Sequence, residues 1–353
     1  MKIVVDDKIP YISEPLQQIA DDVIYVRGSE FTAAQVADAD ALIVRTRTRC
    51  NRQLLEGSKV QFIATATIGY DHIDIDYCRE AGIAWSNAPG CNAPSVAQYM
   101  QSVFLLLEQE KGMRPAETTL GIVGAGHVGM LVAETARALG MRVLLNDPPR
   151  AAREGEAGFA SLQTLAEECN IISFHVPLYT TGEYCTFHLC NAELLGLLKR
   201  RPIIVNTSRG EVVATDALLD ALHSGTVSDA VIDVWEHEPH PDLTLLNKVY
   251  IGTPHIAGYS ADGKANATRM ALDALCKHFG IQADYRIEPP SPSNPVIVAA
   301  SPEEACLKMY DPRRDSRALK ASPDNFEYLR EYYPLRREAK GYRVITSSMV
   351  LGK

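Results

Sequence analysis

The chain has 353 residues, 46% of them hydrophobic and 22% charged, the balance of a globular protein with room for two or three domains. With 35 basic against 44 acidic side chains the net charge is −9, which argues against a nucleic-acid surface spread over the whole molecule but leaves room for a local anion pocket. The start, MKIVVDD, lacks the features of a secretion signal, and no apolar stretch approaches the roughly 20 residues that span a bilayer, so a cytoplasmic protein with no membrane partner is expected. The eight cysteines form no C-x-x-C pair and read as buried thiols; no metal site is expected.

Residues 2–5 read as a buried strand, 13–21 as a helix and 41–44 as a second strand. Strands that alternate with helices predict a parallel sheet covered on both faces. After Val44, the residues Arg45, Arg47 and Arg49 alternate with Thr46 and Thr48. This is either a solvated strand end or an anion pocket at the carboxyl end of a strand. A third strand at 62–64 leads into 65–74, where small residues and Gly69 leave backbone N–H groups free for an anion. His72, near Asp71 and Asp74, reads as a structural turn residue. A short strand at 84–86 precedes a proline and glycine run at 87–94. Pro94 then opens a helix to about residue 110, and the break predicts a crossing into another domain.

The most informative stretch follows. A strand at 120–123 runs into Gly124-Ala125-Gly126-His127-Val128-Gly129, and a helical pattern with Leu131, Val132, Thr135, Ala136 and Leu139 on one face follows directly. Gly124 suits the tight turn, Gly126 lets the backbone approach a pyrophosphate, and Gly129 lets the helix pack on the strand. Asp147 ends the next strand, 142–145, and lies 18 residues beyond Gly129, where an acid takes the ribose hydroxyls and repels a 2′-phosphate. NAD is therefore the expected cofactor, with Arg150 the nearby residue that argues the other way.

Further strands are predicted at 171–174, 203–205, 230–234 and 249–252, with helices at 192–198 and 214–224. A helix at 260–279 is expected to return to the first domain. The proline-rich run at 287–295 predicts a linker. Beyond it, Tyr310, Phe326, Tyr328, Leu329, Tyr332, Tyr333 and Tyr342 are too many large apolar side chains for a disordered tail. A dimerisation element is expected there.

Three loops at the carboxyl ends of strands carry Arg209, Glu238 and His255. A nicotinamide enzyme needs a proton acceptor for the substrate oxygen and a clamp for the reacting carbon. His255 suits the first role, Glu238 could stabilise its imidazolium, and Arg209 could fork onto a carboxylate. Glu236 and His237 are the rival candidates.

The runs Asn206-Thr207-Ser208-Arg209-Gly210, Asp233-Val234-Trp235-Glu236-His237-Glu238-Pro239 and Thr253-Pro254-His255-Ile256-Ala257-Gly258 resemble the D-isomer-specific 2-hydroxyacid dehydrogenase family. The resemblance implies an α/β fold of two Rossmann-like, doubly wound parallel-sheet domains and a small C-terminal α+β dimerisation segment. The implied domains are a discontinuous substrate domain at 1–92 and 259–280, an NAD-binding domain at 93–258, and a linker with the dimerisation segment at 281–353. It also implies Arg209, Glu238 and His255 as the catalytic residues. A narrower likeness, to a branch acting on a small phosphorylated 2-hydroxy acid, implies Thr46, Thr67 and Tyr259 as substrate contacts and a homodimer. By the same likeness Gly124, Gly126, His127, Val128, Gly129, Asp147, Val176, Thr207, Ser208, Asp233 and Gly258 line the NAD. The runner-up within the enzyme class is another dehydrogenase of this family, of the 3-phosphoglycerate or glyoxylate type, and the reading from another class is a non-catalytic NADH-sensing binding protein, for which His255 would be dispensable.

Overall fold

A computed structural model describes residues 1–346. The chain forms two compact units, residues 1–92 with 260–291, and residues 93–259 with 292–353.

The first unit is built on a five-stranded sheet: β1 (Lys2–Asp6), β2 (Asp22–Val26), β3 (Ala41–Val44), β4 (Phe62–Thr65) and β5 (Ala84–Ser86). The strands are parallel, in the order β2-β1-β3-β4-β5. Every residue of β3 and β4 is buried, as expected of strands with helices or loops over both faces. The edge strand β2 has no counterpart among the sequence expectations. Its outer residues Asp22 and Tyr25 are exposed, and a half-exposed edge strand lacks the unbroken apolar run that marks a central one. The helix Ala261–Phe279 is capped by Ser260, whose hydroxyl accepts from Gly263 N, and it buries Ala265, Leu272 and Leu275 with Ile3, Ile43 and Phe62.

Past Val44 the chain turns instead of continuing as a strand, so the arginine and threonine alternation does not mark two faces of a sheet. Thr48 is buried and donates to the Gly28 carbonyl at 2.9 Å, while Thr46, Arg47 and Arg49 are exposed. His72 takes the structural position expected of it, with Nε2 3.0 Å from Thr65 Oγ1.

The second unit carries β6 (Thr119–Val123), β7 (Arg142–Asn146), β8 (Ile171–Phe174), β9 (Ile203–Asn206), β10 (Asp229–Ile232) and β11 (Ile251–Gly252). They too are parallel, in the order β11-β10-β9-β8-β6-β7. Helices Ala93–Lys111 and His127–Ala138 cover one face through Tyr99, Val103, Phe104, Val132 and Ala136. Leu165, Phe174, Leu195, Leu218 and Leu246 fill the other. Strand order reverses between β6 and β8, and the crevice at the carboxyl ends of those strands is where such sheets bind ligands.

The C-terminal segment pairs β12 (Val296–Ala299) with β13 (Arg343–Thr346) in parallel and adds helices Pro302–Met309, Pro312–Ala321 and Phe326–Glu331. The sequence set 281–353 apart, of which 347–353 lie outside the described residues; the contacts divide the rest, 281–291 clustering with the first unit and 292–346 with the second. The reason is burial. Ile287 joins the first unit's core, Tyr310 packs with Tyr99 and Phe104, and Leu319 and Phe326 join the core on the opposite face of the second sheet. A segment this short has too little interior to bury such side chains against one another. Among the described residues, no helix is long and apolar enough to cross a membrane.

Candidate active site

The glycine turn begins where β6 ends. Gly126 is the N-cap of the helix His127–Ala138 and has no capping side chain, so the first N–H groups of the helix are open to an anion. His127 and Val128 form the first turn. A Cβ on Gly129 would lie 1.9 Å from the Gly124 carbonyl oxygen, so only glycine permits that approach of helix to strand. A Cβ on Gly126 would meet no protein atom within 4 Å and would project into open space. That space at a helix N-terminus fits a pyrophosphate. Asp147 caps the next helix, accepting from Arg150 N and from Ala125 N, both at 2.9 Å. Arg150 forks onto Glu154 and donates to the Ala125 carbonyl, so its charge is already engaged by protein groups. Val176 lies beside the Gly124 turn.

A prediction arises here. Gly126→Val is expected to cost no more than about 2 kcal/mol of stability, the penalty of placing valine at an N-cap, because nothing in the protein obstructs the new side chain. NAD affinity is expected to fall roughly 100-fold or more as the methyls occupy the pyrophosphate space. Cofactor titration by fluorescence checks this, and unchanged affinity would place the dinucleotide elsewhere.

Beyond β9 the loop is pinned by Asn206. Its Oδ1 accepts from Ser208 N at 3.1 Å and Ser208 Oγ at 2.8 Å, and its Nδ2 donates to the Arg209 carbonyl at 2.8 Å. Thr207 Oγ1 lies 3.2 Å from His175 Nδ1, and His175 Nε2 lies 2.8 Å from Ser173 Oγ. Burial pushes the His175 imidazole down to about 3, so it stays neutral and acts as a hydrogen-bonding strut. Arg209 is half-buried, its guanidinium donating to the Ser208 carbonyl. A Cβ on Gly210 would lie 2.0 Å from the carbonyl carbon of Trp235, so this loop rests directly on the loop that carries Glu238.

The rivalry between the acids after β10 is resolved by geometry. Glu236 turns to His188 Nε2 at 2.6 Å and to Thr215 N, and His237 is exposed. Glu238 instead places Oε2 2.8 Å from His255 Nδ1, while its Oε1 accepts from Trp235 N at 3.0 Å. Burial works to raise the Glu238 carboxyl, but the bond and charge of His255, the Trp235 N–H and the Arg330 charge outweigh it and hold the group below the usual range. The pair is sheltered yet open on one side, with side-chain exposures of 29% for His255 and 21% for Glu238. Glu238 takes Nδ1, which leaves Nε2 as the nitrogen to face a substrate.

His255 itself has φ 57°, a left-handed conformation that a β-carbon disfavours. Asp233 enforces it. Its Oδ1 accepts from Thr253 Oγ1 at 2.6 Å and Ile256 N at 2.8 Å, its Oδ2 from Ala257 N at 3.0 Å, and His255 N donates to the Asp233 carbonyl at 2.7 Å. Burial pushes the Asp233 carboxyl up, against the His255 charge and these hydrogen bonds. Tyr99, wholly buried, backs Thr253 through its hydroxyl at 3.0 Å. Gly258 and Tyr259 follow, both half-buried.

In the first unit Thr67 Oγ1 donates to the Gly69 carbonyl at 2.8 Å and lies 2.6 Å from Thr65 Oγ1, and Thr46 is exposed. Sequence reasoning gave no role to His175 or to Asn206, though the latter opens one of the motifs; the signal for both was a polar residue at the last buried position of a strand or just past it. It also missed Arg330 and Arg336, for which no local signal exists.

Residues 95–257 match the family described as D-isomer specific 2-hydroxyacid dehydrogenase, NAD binding domain, and residues 294–351 match a domain of unknown function. The erythronate-4-phosphate dehydrogenase of Bacteroides fragilis is 64% identical over 345 residues, covering 98% of this chain and 99% of the relative. The chain belongs to the D-isomer specific 2-hydroxyacid dehydrogenase family. It is an NAD-dependent dehydrogenase of that family. The erythronate-4-phosphate dehydrogenase of Porphyromonas gingivalis is 44% identical over 353 residues, covering 98% of this chain and 95% of that one. Among solved structures, D-lactate dehydrogenase of Aquifex aeolicus complexed with NAD and lactic acid is similar at 27% identity and a TM-score of 0.64, covering 79% of this chain and 96% of that one. The NAD-bound 3-phosphoglycerate dehydrogenase of Entamoeba histolytica gives 27% and 0.64, covering 79% and 95%.

Proposed function

We propose that the enzyme oxidises 4-phospho-D-erythronate to 2-oxo-3-hydroxy-4-phosphobutanoate, a step in pyridoxal 5′-phosphate synthesis carried out in the cytoplasm. The observation that carries the chemistry is the Glu238–His255 pair at the carboxyl edge of the NAD-binding sheet. The names of the similar erythronate-4-phosphate dehydrogenases support the substrate.

In this reading, bound NAD supplies the acceptor for the hydride that leaves C2. His255 Nε2 takes the C2 hydroxyl proton as the oxygen becomes a carbonyl. Glu238, ionised and bonded to Nδ1, stabilises the imidazolium so formed and fixes the ring's orientation. Arg209 holds the C1 carboxylate by two parallel N–H bonds, and its charge polarises the developing carbonyl. Thr46, Thr67 and Tyr259 contact the substrate. Thr207, Ser208, Val176 and Gly258, with the glycine turn and Asp147, form the NAD site, and Asp233 supports it by shaping the turn at 253–257.

Arg209→Lys is expected to reduce kcat/KM by about 100-fold, since a point charge cannot reproduce the fork. Steady-state kinetics check it, and a loss under about threefold would remove the clamp from the mechanism. The substrate reading is tested by a panel of 4-phosphoerythronate, 3-phosphoglycerate and glyoxylate, the last offered with NADH. The first should give the highest kcat/KM, and preference for another would reassign the substrate.

The homodimer belongs to the same reading. Val296 and Val298 on β12, with Tyr328, Tyr332 and Leu335, are 46 to 65% exposed in the single chain, an apolar surface suited to a second copy. Sedimentation at micromolar concentration should give a dimer, and Val298→Glu should shift it to monomer.

A further inference from the structure

The Glu238–His255 pair has a neighbour from outside the NAD-binding motifs. Arg330 lies on the helix Phe326–Glu331, within the segment that matches a domain of unknown function. Its Nη1 stands 4.0 Å from Glu238 Oε2, the same oxygen that meets His255 Nδ1. Its Nη2 donates to the Tyr259 hydroxyl at 3.2 Å. The guanidinium carbon is 5.7 Å from the Tyr259 ring centroid and 5.8 Å from that of Phe326, so the group is held against two aromatic rings.

Among the described residues, the charged and titratable groups that face Arg330 include Glu238 and Tyr259 from the catalytic loops and Glu327 from its own helix at 3.6 Å, with His255 bonded to Glu238 and Asp233 interacting with the His255 charge. The Glu327 side chain is 51% exposed and its attraction is screened by water, whereas Arg330 and Glu238 are 22% and 21% exposed. The less screened of the two ion pairs is therefore the one with Glu238.

Arg336 fixes where Arg330 can stand. It is 5% exposed, its Nη1 donates to the carbonyls of Ile256 and Ala257 at 3.2 Å each, and its Nε donates to Gln98 Oε1 at 3.0 Å. Its guanidinium lies 3.7 Å from the Tyr310 ring centroid. The segment is thus fastened to the turn that follows His255, and the helix with Arg330 is held over Glu238.

We propose that Arg330 is a positioning residue of the active site, its guanidinium holding the Glu238 carboxylate aimed at His255, so that the C-terminal segment completes the acid–base pair. This rests on the reading of Glu238 and His255 as that pair. The geometry gives the sign of the effect. A cation beside a carboxylate favours its charged form, so its removal raises the pH at which Glu238 takes up a proton.

The test compares wild type, Arg330→Gln and Arg330→Lys, full length. Glu238 is followed by carbon-13 NMR of labelled glutamate carboxyls, with Glu238→Gln identifying the signal. In Arg330→Gln the Glu238 midpoint should rise by about half a pH unit or more. With 4-phosphoerythronate and NAD, kcat should fall roughly tenfold or more, the larger part of the loss lying in kcat rather than KM. Arg330→Lys retains the charge and should keep the midpoint near wild type. Should Arg330→Gln fail to fold, Arg330→Met keeps the contact with both rings without the charge and carries the same expectation. A Glu238 midpoint that does not move, or a loss confined to KM, overturns the proposal. Wild type inactive on 4-phosphoerythronate would overturn the substrate reading alone, since the NMR titration needs no substrate.

Discussion

His255→Asn is expected to lower kcat by about 10²–10⁴-fold while NAD affinity stays within about threefold of wild type. The two quantities separate because the residues doing the two jobs are on different loops. In the proposed mechanism the cofactor lies at the helix N-terminus after β6, whereas the nitrogen that takes the proton comes from the turn after β11. Asparagine can occupy the place and bond to Glu238 Oε2, but its amide cannot take a proton near neutrality. Stopped-flow turnover beside fluorescence titration of NADH gives both numbers. Turnover near wild type would remove His255 from the chemistry. Glu238→Gln should cost less, because it leaves the imidazole in place and removes only the charge that stabilises its protonated form.

The largest expected effect on stability is at Asp233, not at a catalytic position. Asp233→Ala is expected to destabilise the NAD-binding unit by about 3–5 kcal/mol, the range for removing one member of a buried, charge-assisted network. The carboxylate is 1% exposed and accepts three hydrogen bonds, from Thr253 Oγ1, Ile256 N and Ala257 N, all of which would lose their acceptor. The turn they close holds His255 at positive φ, so kcat should collapse as well, even at temperatures where the variant remains folded. Urea denaturation followed by the fluorescence of Trp235, itself bonded to the Thr253 carbonyl, reads the stability directly. A loss below about 1 kcal/mol would mean that water or a neighbouring group replaces the carboxylate and that the network is not what fixes the turn.

The linear chain was most legible where function depends on backbone. The glycine turn was readable because Gly124 is demanded by a tight turn at positive φ and Gly129 by a close packing contact, each local in sequence. Strand β3 was readable because a strand buried on both faces shows as an unbroken apolar run. The edge strand β2 escaped, since a half-exposed strand carries a mixed pattern that short windows do not separate from loop.

Sequence by itself settled the fold class, the strand–glycine turn–helix unit after β6 and the three loops that hold Arg209, Glu238 and His255, because each is written in contiguous residues of restricted conformation. The motif resemblance pointed to Glu238, and tertiary structure showed it to meet His255 while Glu236 turns to His188; tertiary structure alone decided that Asp233 builds the turn beneath His255 and that Arg330 arrives from a segment about ninety residues further along. Those three facts depend on side chains brought together by the stacking of parallel strands and by the burial of Leu319, Phe326 and Arg336. Neither the spacing nor the composition of a linear chain encodes which of two neighbouring carboxylates turns inward.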